Sequence, residues 1–95
     1  MATLTATVPT AHGSRYLQQL CKHWSHKFEV EFDAAKGSIA LPFGTTCLAA
    51  SDTALQVDIA LNDGADPVRA RAVVADHLNR FAFREGELTF DWHEH

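Results

Sequence analysis

The 95-residue sequence has few of the residues that mark specialised classes of protein. Its two cysteines, Cys21 and Cys47, are too few for a disulfide scaffold, so we expect both to be reduced thiols. Five glycines and three prolines do not suit a collagen-like chain, and no apolar run reaches the about 18 residues that a membrane span needs. The start of the sequence also lacks the features of a secretory signal. These absences predict a cytoplasmic protein without a membrane partner.

Basic residues are also scarce. Eight lysines and arginines stand against twelve aspartates and glutamates, which gives a net charge of −4. Such a chain has no overall basic field, so we expect no nucleic-acid partner. What is present is ordinary globular composition, with 46% hydrophobic and 21% charged residues in a length that suits one core. We therefore predict one domain over residues 1–95.

Hydrophobic periodicity predicts the elements of an α+β fold. Alternation over 3–8 and in a hairpin of 28–32 with 39–43 indicates strands, and the turn of that hairpin is placed at 35–37. A 3.6-residue period predicts a helix over 15–27, with Ser14 as its N-cap. Further strands are predicted over 46–50, 55–61 and 88–92, and a second helix from Pro67 to about Ala82, with Asp66 as its N-cap.

The predicted order is β-α-β-β-β-β-α-β, with short turns that favour antiparallel pairing. The economical packing is a two-layer sandwich in which both helices cover one face of an antiparallel sheet. The other face would then carry polar residues, namely Glu29, Glu31, Gln56, Asp58 and Asp91.

The first predicted helix has a cationic face. At about 100° per residue, Arg15, Lys22 and His26 fall on one stripe, and His23 and Lys27 flank it. No carboxylate interrupts this face, so it creates a local positive potential in an acidic protein. We predict that these five residues bind an anionic small molecule or an acidic protein surface, and the alternative is a merely solvated face.

Histidines are the natural candidates for metal binding. His23 and His26 are one turn apart and can share a metal ion, but zinc needs further donors and this face offers only cations. His77 is predicted to be buried in the apolar stripe of the second helix, which separates it from the other two. His93 and His95 could capture a stray divalent ion on a terminal strand. We therefore predict no metal site and no cofactor.

A pocket between helix and sheet is the alternative site. There His77 would act as a ligand or proton carrier, with Cys21 as its partner and Arg80 nearby, in a metal-binding protein, a haem-binding protein or a small enzyme. The competing interpretation treats His77 as a core histidine with one hydrogen bond and Cys21 as a small core residue. The sequence has no phosphate-binding glycine loop, serine elbow or convincing carboxylate pair, so an enzyme is the less favoured class.

Three blocks of the sequence resemble a known family. They are SRYLQQLCKHWSHK at 14–27, GSIALPFG at 37–44 and HLNRFAFRE at 77–85. In this order and spacing they are similar to the bacterial family catalogued as domain of unknown function 2218. The resemblance carries over no catalytic residue.

This resemblance implies a biological context. Domains of this family are in some proteins joined to siderophore-interacting flavin reductases, which implies work near ferric-siderophore uptake and iron release. The expected anion is then a ferric siderophore, and the expected acidic partner is a flavin reductase. A third interpretation is structural, with the sheet edge or the acidic sheet face forming a homodimer, so both monomer and homodimer stay open.

Overall fold

The computed structural model describes residues 2–95. These residues form six strands and two helices in the predicted order. The strands are β1 (Thr3–Pro9), β2 (Val30–Phe32), β3 (Lys36–Leu41), β4 (Gly44–Ala50), β5 (Ala54–Leu61) and β6 (Trp92–Glu94), and the helices are α1 (Gly13–Trp24) and α2 (Pro67–Phe81). Neither of these helices in residues 2–95 is both long enough and apolar enough to cross a membrane.

The six strands form one sheet in the order β2-β3-β4-β5-β1-β6. Every neighbouring pair is antiparallel, and both edge strands are only three residues long. The register aligns one polar residue from each strand in a row across the open face: Glu31, Ser38, Cys47, Asp58, Thr5 and His93. Glu29 and Asp91, which were also predicted for this face, lie just before β2 and β6.

Both helices cover the opposite face of the sheet, as predicted. Contacts join α1 to β2, β3, β4 and β5, whereas α2 contacts β5 and α1. The α1 side of the core contains Leu17, Leu20 and Cys21, and the α2 side follows an i, i+4 row, which is Ala70, Val74 and Leu78. The architecture is therefore the predicted α+β two-layer sandwich.

The helix ends differ in how well the sequence predicted them. Asp66 caps α2 as expected, because its Oδ1 accepts hydrogen bonds from the N–H groups of Val68 at 3.0 Å and Arg69 at 3.4 Å. The prediction of Ser14 as the cap of α1 is wrong. The Ser14 hydroxyl donates to the carbonyl of Ala34 at 2.6 Å, and the N-cap position belongs to His12.

Two further boundaries are corrected. The first hairpin turns at 33–35 and not at 35–37, because Asp33 Oδ1 accepts the N–H groups of Ala35 and Lys36 at 2.8 Å each. The last strand spans Trp92–Glu94 and not 88–92. Leu88 is buried, but its N–H donates to Asn79 Oδ1 at 2.8 Å, so this segment packs on α2 without entering the sheet.

Candidate functional site

A cavity of about 550 Å³ opens where the end of α1 meets α2 and the β3–β4 turn. Three of the six histidines in the sequence line it, so we call it the histidine cavity. Its walls are formed by His23, Trp24, His26, Lys27, Phe28, Leu41, Pro42, Phe43, Arg69, Val73 and His77.

The end of α1 shapes one wall of this cavity. The helix stops at Trp24, whose carbonyl accepts the N–H groups of Lys27 at 3.0 Å and Phe28 at 2.9 Å. The chain therefore turns over 25–27, although the sequence predicted continued helix to Lys27. As a result, His26 and Lys27 lie on a turn beside the cavity and not on the outer stripe of α1.

The cavity walls are cationic and aromatic. Lys27 and Arg69 carry fixed positive charges, and no carboxylate lines the cavity. Within residues 2–95, neither of the two side chains forms an ion pair. Trp24, Phe28 and Phe43 supply apolar surface between these charges. Such a concave site suits a small molecule that has an anionic group on an aromatic or apolar body.

His77 is half-buried, whereas the sequence predicted it in the centre of the apolar stripe. The buried row of α2 runs through Val74 and Leu78, so His77 lies on its flank and faces the end of α1. Its Nδ1 lies 2.7 Å from the carbonyl oxygen of Val73, which is the single hydrogen bond that the core interpretation expected. Its ring centroid is 4.7 Å from that of Trp24.

The predicted separation of the histidines is wrong. The ring centroids of His23 and His77 are only 5.5 Å apart, because the flank of α2 that carries His77 packs against the end of α1. His26 lines the same cavity. Even so, within residues 2–95 no three His, Cys, Asp or Glu side chains are arranged as a metal site.

The other two residues of the predicted cationic face lie elsewhere. Arg15 and Lys22 are exposed on α1 but do not line the histidine cavity. Arg15 lines a second cavity, of about 370 Å³, together with Tyr16, Phe83 and Glu85. The structure therefore brings only His23, His26 and Lys27 of the predicted set together, and adds Arg69, which the sequence analysis missed.

Cys21 and Arg80 do not join His77 in this cavity. Cys21 is fully buried under β3, where its Sγ lies 2.8 Å from the position that a Cβ on Gly37 would take. Burial raises the pKa of the Cys21 thiol to about 11, so the sulfur is a neutral thiol at physiological pH. Arg80 is exposed on α2.

A depression of similar volume, about 540 Å³, lies on the open side of the sheet. Its walls carry the carboxylates of Glu31, Asp33 and Asp58 against one lysine, Lys36. The walls of this depression therefore carry a net negative charge, whereas those of the histidine cavity are positive. We therefore place the candidate site in the histidine cavity, where three of the five predicted basic residues converge.

Glu85 forms a cluster that the sequence analysis did not predict. Its carboxylate accepts hydrogen bonds from the buried Tyr16 phenol and from the Thr10 hydroxyl, the latter at 2.9 Å. The bond from Tyr16 is the main cause that lowers the pKa of Glu85 below its ordinary 4.5. This cluster ties the segment after α2 to the first turn of α1. The donors lie 69 and 75 residues from Glu85 in sequence, so no local pattern could reveal it.

Replacing Glu85 by glutamine should lower the free energy of unfolding at neutral pH by about 1 kcal/mol, which is below the usual contribution of hydrogen bonds to charged groups because the carboxylate is exposed. The lowered pKa means that this contribution is present above the ordinary pKa and is lost as pH falls through the folded-state value. The difference between wild type and Glu85→Gln should therefore shrink in acid. Urea unfolding over a pH series measures it.

Glu87→Gln is the matched control, since it removes the same charge from the same segment. We expect it to change stability much less than Glu85→Gln at neutral pH. A difference between Glu85→Gln and wild type that stays constant from neutral to acidic pH would contradict the role of the carboxylate.

Comparison with known proteins agrees with the sequence blocks. Residues 5–93 match the model of a family described as "Uncharacterized protein conserved in bacteria (DUF2218)". The chain belongs to this family. The resemblance predicted from the three blocks is thereby confirmed. All three blocks contribute to the histidine cavity of this DUF2218 protein, through His23 in the first, Pro42 in the second and His77 in the third.

A solved structure is similar to this DUF2218 protein over nearly its whole length. The NMR structure of PA4090 from Pseudomonas aeruginosa is 34% identical, with a TM-score of 0.79. The match covers 98% of this chain and 96% of that chain. A search of curated proteins finds no match.

Proposed function

We propose that the protein is a binding module for a small organic anion with an aromatic or apolar body, held in the histidine cavity. The observation that carries this proposal is the composition of the cavity wall. Lys27 and Arg69 stand beside three imidazoles and three aromatic rings, without a lining carboxylate. Because the low-dielectric walls of a cleft focus the field of the charges that line it, these charges act more strongly there than on an open helix face.

The shape of the site favours a small molecule over an acidic protein surface. A volume of about 550 Å³ lies within the range of about 300–1,000 Å³ that is usual for ligand pockets. The charged groups line a recess, and its concave shape suits a small molecule better than a flat protein surface. The proposal therefore narrows the predicted cationic face to its cavity-lining members and leaves Arg15 and Lys22 outside.

The family resemblance supports one ligand class within this proposal. A ferric siderophore of the catecholate or carboxylate type combines negative charge with apolar or aromatic surface, and the cavity walls offer a complement to both. The link to iron comes from the resemblance, while the charge and the rings come from the chain itself.

Tryptophan fluorescence tests this proposal directly. Trp24 lines the cavity, and a Trp92→Phe background leaves it as the sole tryptophan. We expect a dihydroxybenzoate, titrated with EDTA present, and a ferric catecholate chelate, titrated without EDTA, to change the Trp24 emission. Raising the salt concentration should weaken both interactions, because part of the attraction is electrostatic.

Charge-reversal variants identify the residues that bind the anion. Lys27→Glu and Arg69→Glu should each weaken binding by about tenfold, the size expected from one lost charge-assisted contact. Lys22→Glu is the matched control, because it makes the same charge change on α1 outside the cavity. The proposal fails if neither probe binds, or if Lys22→Glu weakens binding as much as Lys27→Glu.

A further inference from the structure

We propose that His23 and His77 together bind a divalent transition metal ion of the zinc class in the histidine cavity. This inference goes beyond the proposed anion site and does not depend on it. It starts from the contact between the two imidazoles, which the sequence had placed on opposite sides of the helix layer.

The spacing of the two rings suits a shared metal ion. Their centroids are 5.5 Å apart and their planes are inclined by 45°. Two imidazoles that coordinate one tetrahedral zinc ion through nitrogens about 2.0–2.1 Å from the metal have centroids about 5 Å apart. The observed ring separation is therefore close to that of two imidazoles that share a zinc ion.

The hydrogen bond of His77 prepares one nitrogen for the metal. A carbonyl oxygen only accepts, so the Nδ1 that lies 2.7 Å from Val73 O carries the hydrogen. In the neutral ring this leaves the Nε2 lone pair free. Metal-binding histidines usually hold their second nitrogen in this way, by donation to a backbone carbonyl or a carboxylate. Val73 and His77 are one helical turn apart, so α2 itself fixes the ring.

Neighbouring aromatic side chains lie beside both rings. The His77 ring centroid lies 4.7 Å from that of Trp24, and the His23 ring centroid lies 6.1 Å from that of Phe81. The contact with Trp24 limits the orientations of the half-buried His77 ring, which reduces the entropy lost on coordination.

The remaining coordination positions would be open. His26 lines the same cavity, but within residues 2–95 no three-residue donor set is in place. Lys27 and Arg69 are the charged side chains that face the site, and they oppose a bare cation while favouring an anion as an additional ligand. The site would thus have two protein imidazoles, one protein donor fewer than the three of catalytic zinc sites, with water or an anion in the other positions.

Zinc titration tests the proposal in a background without competing donors. Cys47, His93 and His95 are exposed donors outside the cavity, so the background carries Cys47→Ser, His93→Gln and His95→Gln. Calorimetry with Zn²⁺ alone, at about pH 8 to limit competition by protons for the ligands, should show one ion per chain. His23→Phe and His77→Phe should each weaken this binding by tenfold or more, since each keeps a packed ring but removes the nitrogens.

His12→Phe is the control, because it removes an exposed histidine that does not line the cavity, and it should leave zinc binding unchanged. Circular dichroism verifies that each variant is folded, and His23→Gln provides a second replacement at an exposed position. With Cu²⁺ as the probe, electron paramagnetic resonance should show coupling to two imidazole nitrogens, and to one in either single variant.

Three results would overturn the metal site: no zinc binding in the background protein, a zinc affinity in His23→Phe or His77→Phe equal to that of the background protein, or a copper spectrum without nitrogen coupling. The dihydroxybenzoate titration in EDTA contains no free metal ion. Failure of the metal site and failure of the anion site are therefore separate outcomes.

Discussion

Replacing Gly44 by alanine is expected to reduce the free energy of unfolding by about 3–5 kcal/mol. Gly44 follows the Pro42–Phe43 turn and has a φ of +152°, which side-chain-bearing residues rarely adopt. A Cβ at this position would overlap the carbonyl oxygen of Ala60 on β5. Backbone strain and steric overlap therefore act together, and relief of either would require β4 to move away from β5.

Gly64→Ala is the matched control for this substitution. Gly64 also has a positive φ, of +80°, but a Cβ there would meet no atom within 4 Å. We expect it to cost only about 1 kcal/mol, from backbone strain alone. Urea unfolding followed by circular dichroism compares the two. Equal losses in Gly44→Ala and Gly64→Ala would show that the contact with Ala60 has no effect on stability.

Trp24→Ala should also remove about 3–5 kcal/mol, the usual range for truncating a buried aromatic residue. Only 5% of Trp24 is exposed, and its ring packs edge-on against Phe28 and beside His77. The same ring forms part of the wall of the histidine cavity, so the variant should lose ligand binding as well as stability. Chemical denaturation measures the first effect, and calorimetric titration with a dihydroxybenzoate measures the second.

Two further variants distinguish the loss of Trp24 packing from the effect of removing any tryptophan. Trp24→Phe keeps an aromatic ring against His77 and should cost less than half as much as Trp24→Ala. Trp92→Ala truncates a half-buried tryptophan that stacks on Phe90 away from the cavity, so it should leave ligand binding unchanged. If Trp24→Ala proves no more destabilising than Trp92→Ala, then Trp24 is not an anchor of the helix layer.

The sequence predicted the fold class because its strongest signals are local. Alternation along β5 and the Asp66 cap of α2 depend on residues that are close in the chain, and the structure confirms both. The end of α1 and the position of β6 depend on contacts between distant residues. The burial of Leu88 beside α2, for example, produced an alternating pattern without a strand.

The candidate site was harder to predict than the fold. Helical geometry grouped His23, His26 and Lys27 on one face, and the structure places them around one cavity, although His26 and Lys27 lie on the turn after α1. Helical geometry alone could not show that His77 faces α1. The rotation of α2 about its axis depends on which row of its residues packs on the sheet. Arg69 joins the site from a segment more than forty positions along the chain from Lys27, and no periodicity connects the two.

The two short strands that bound the sheet limit how copies of this protein can associate. A neighbouring molecule that paired with β2 or β6 would meet only three residues of exposed main chain. Continuous cross-β stacking needs longer, flatter templates than these. High concentrations of the folded protein should therefore resist fibril growth through strand addition at β2 or β6.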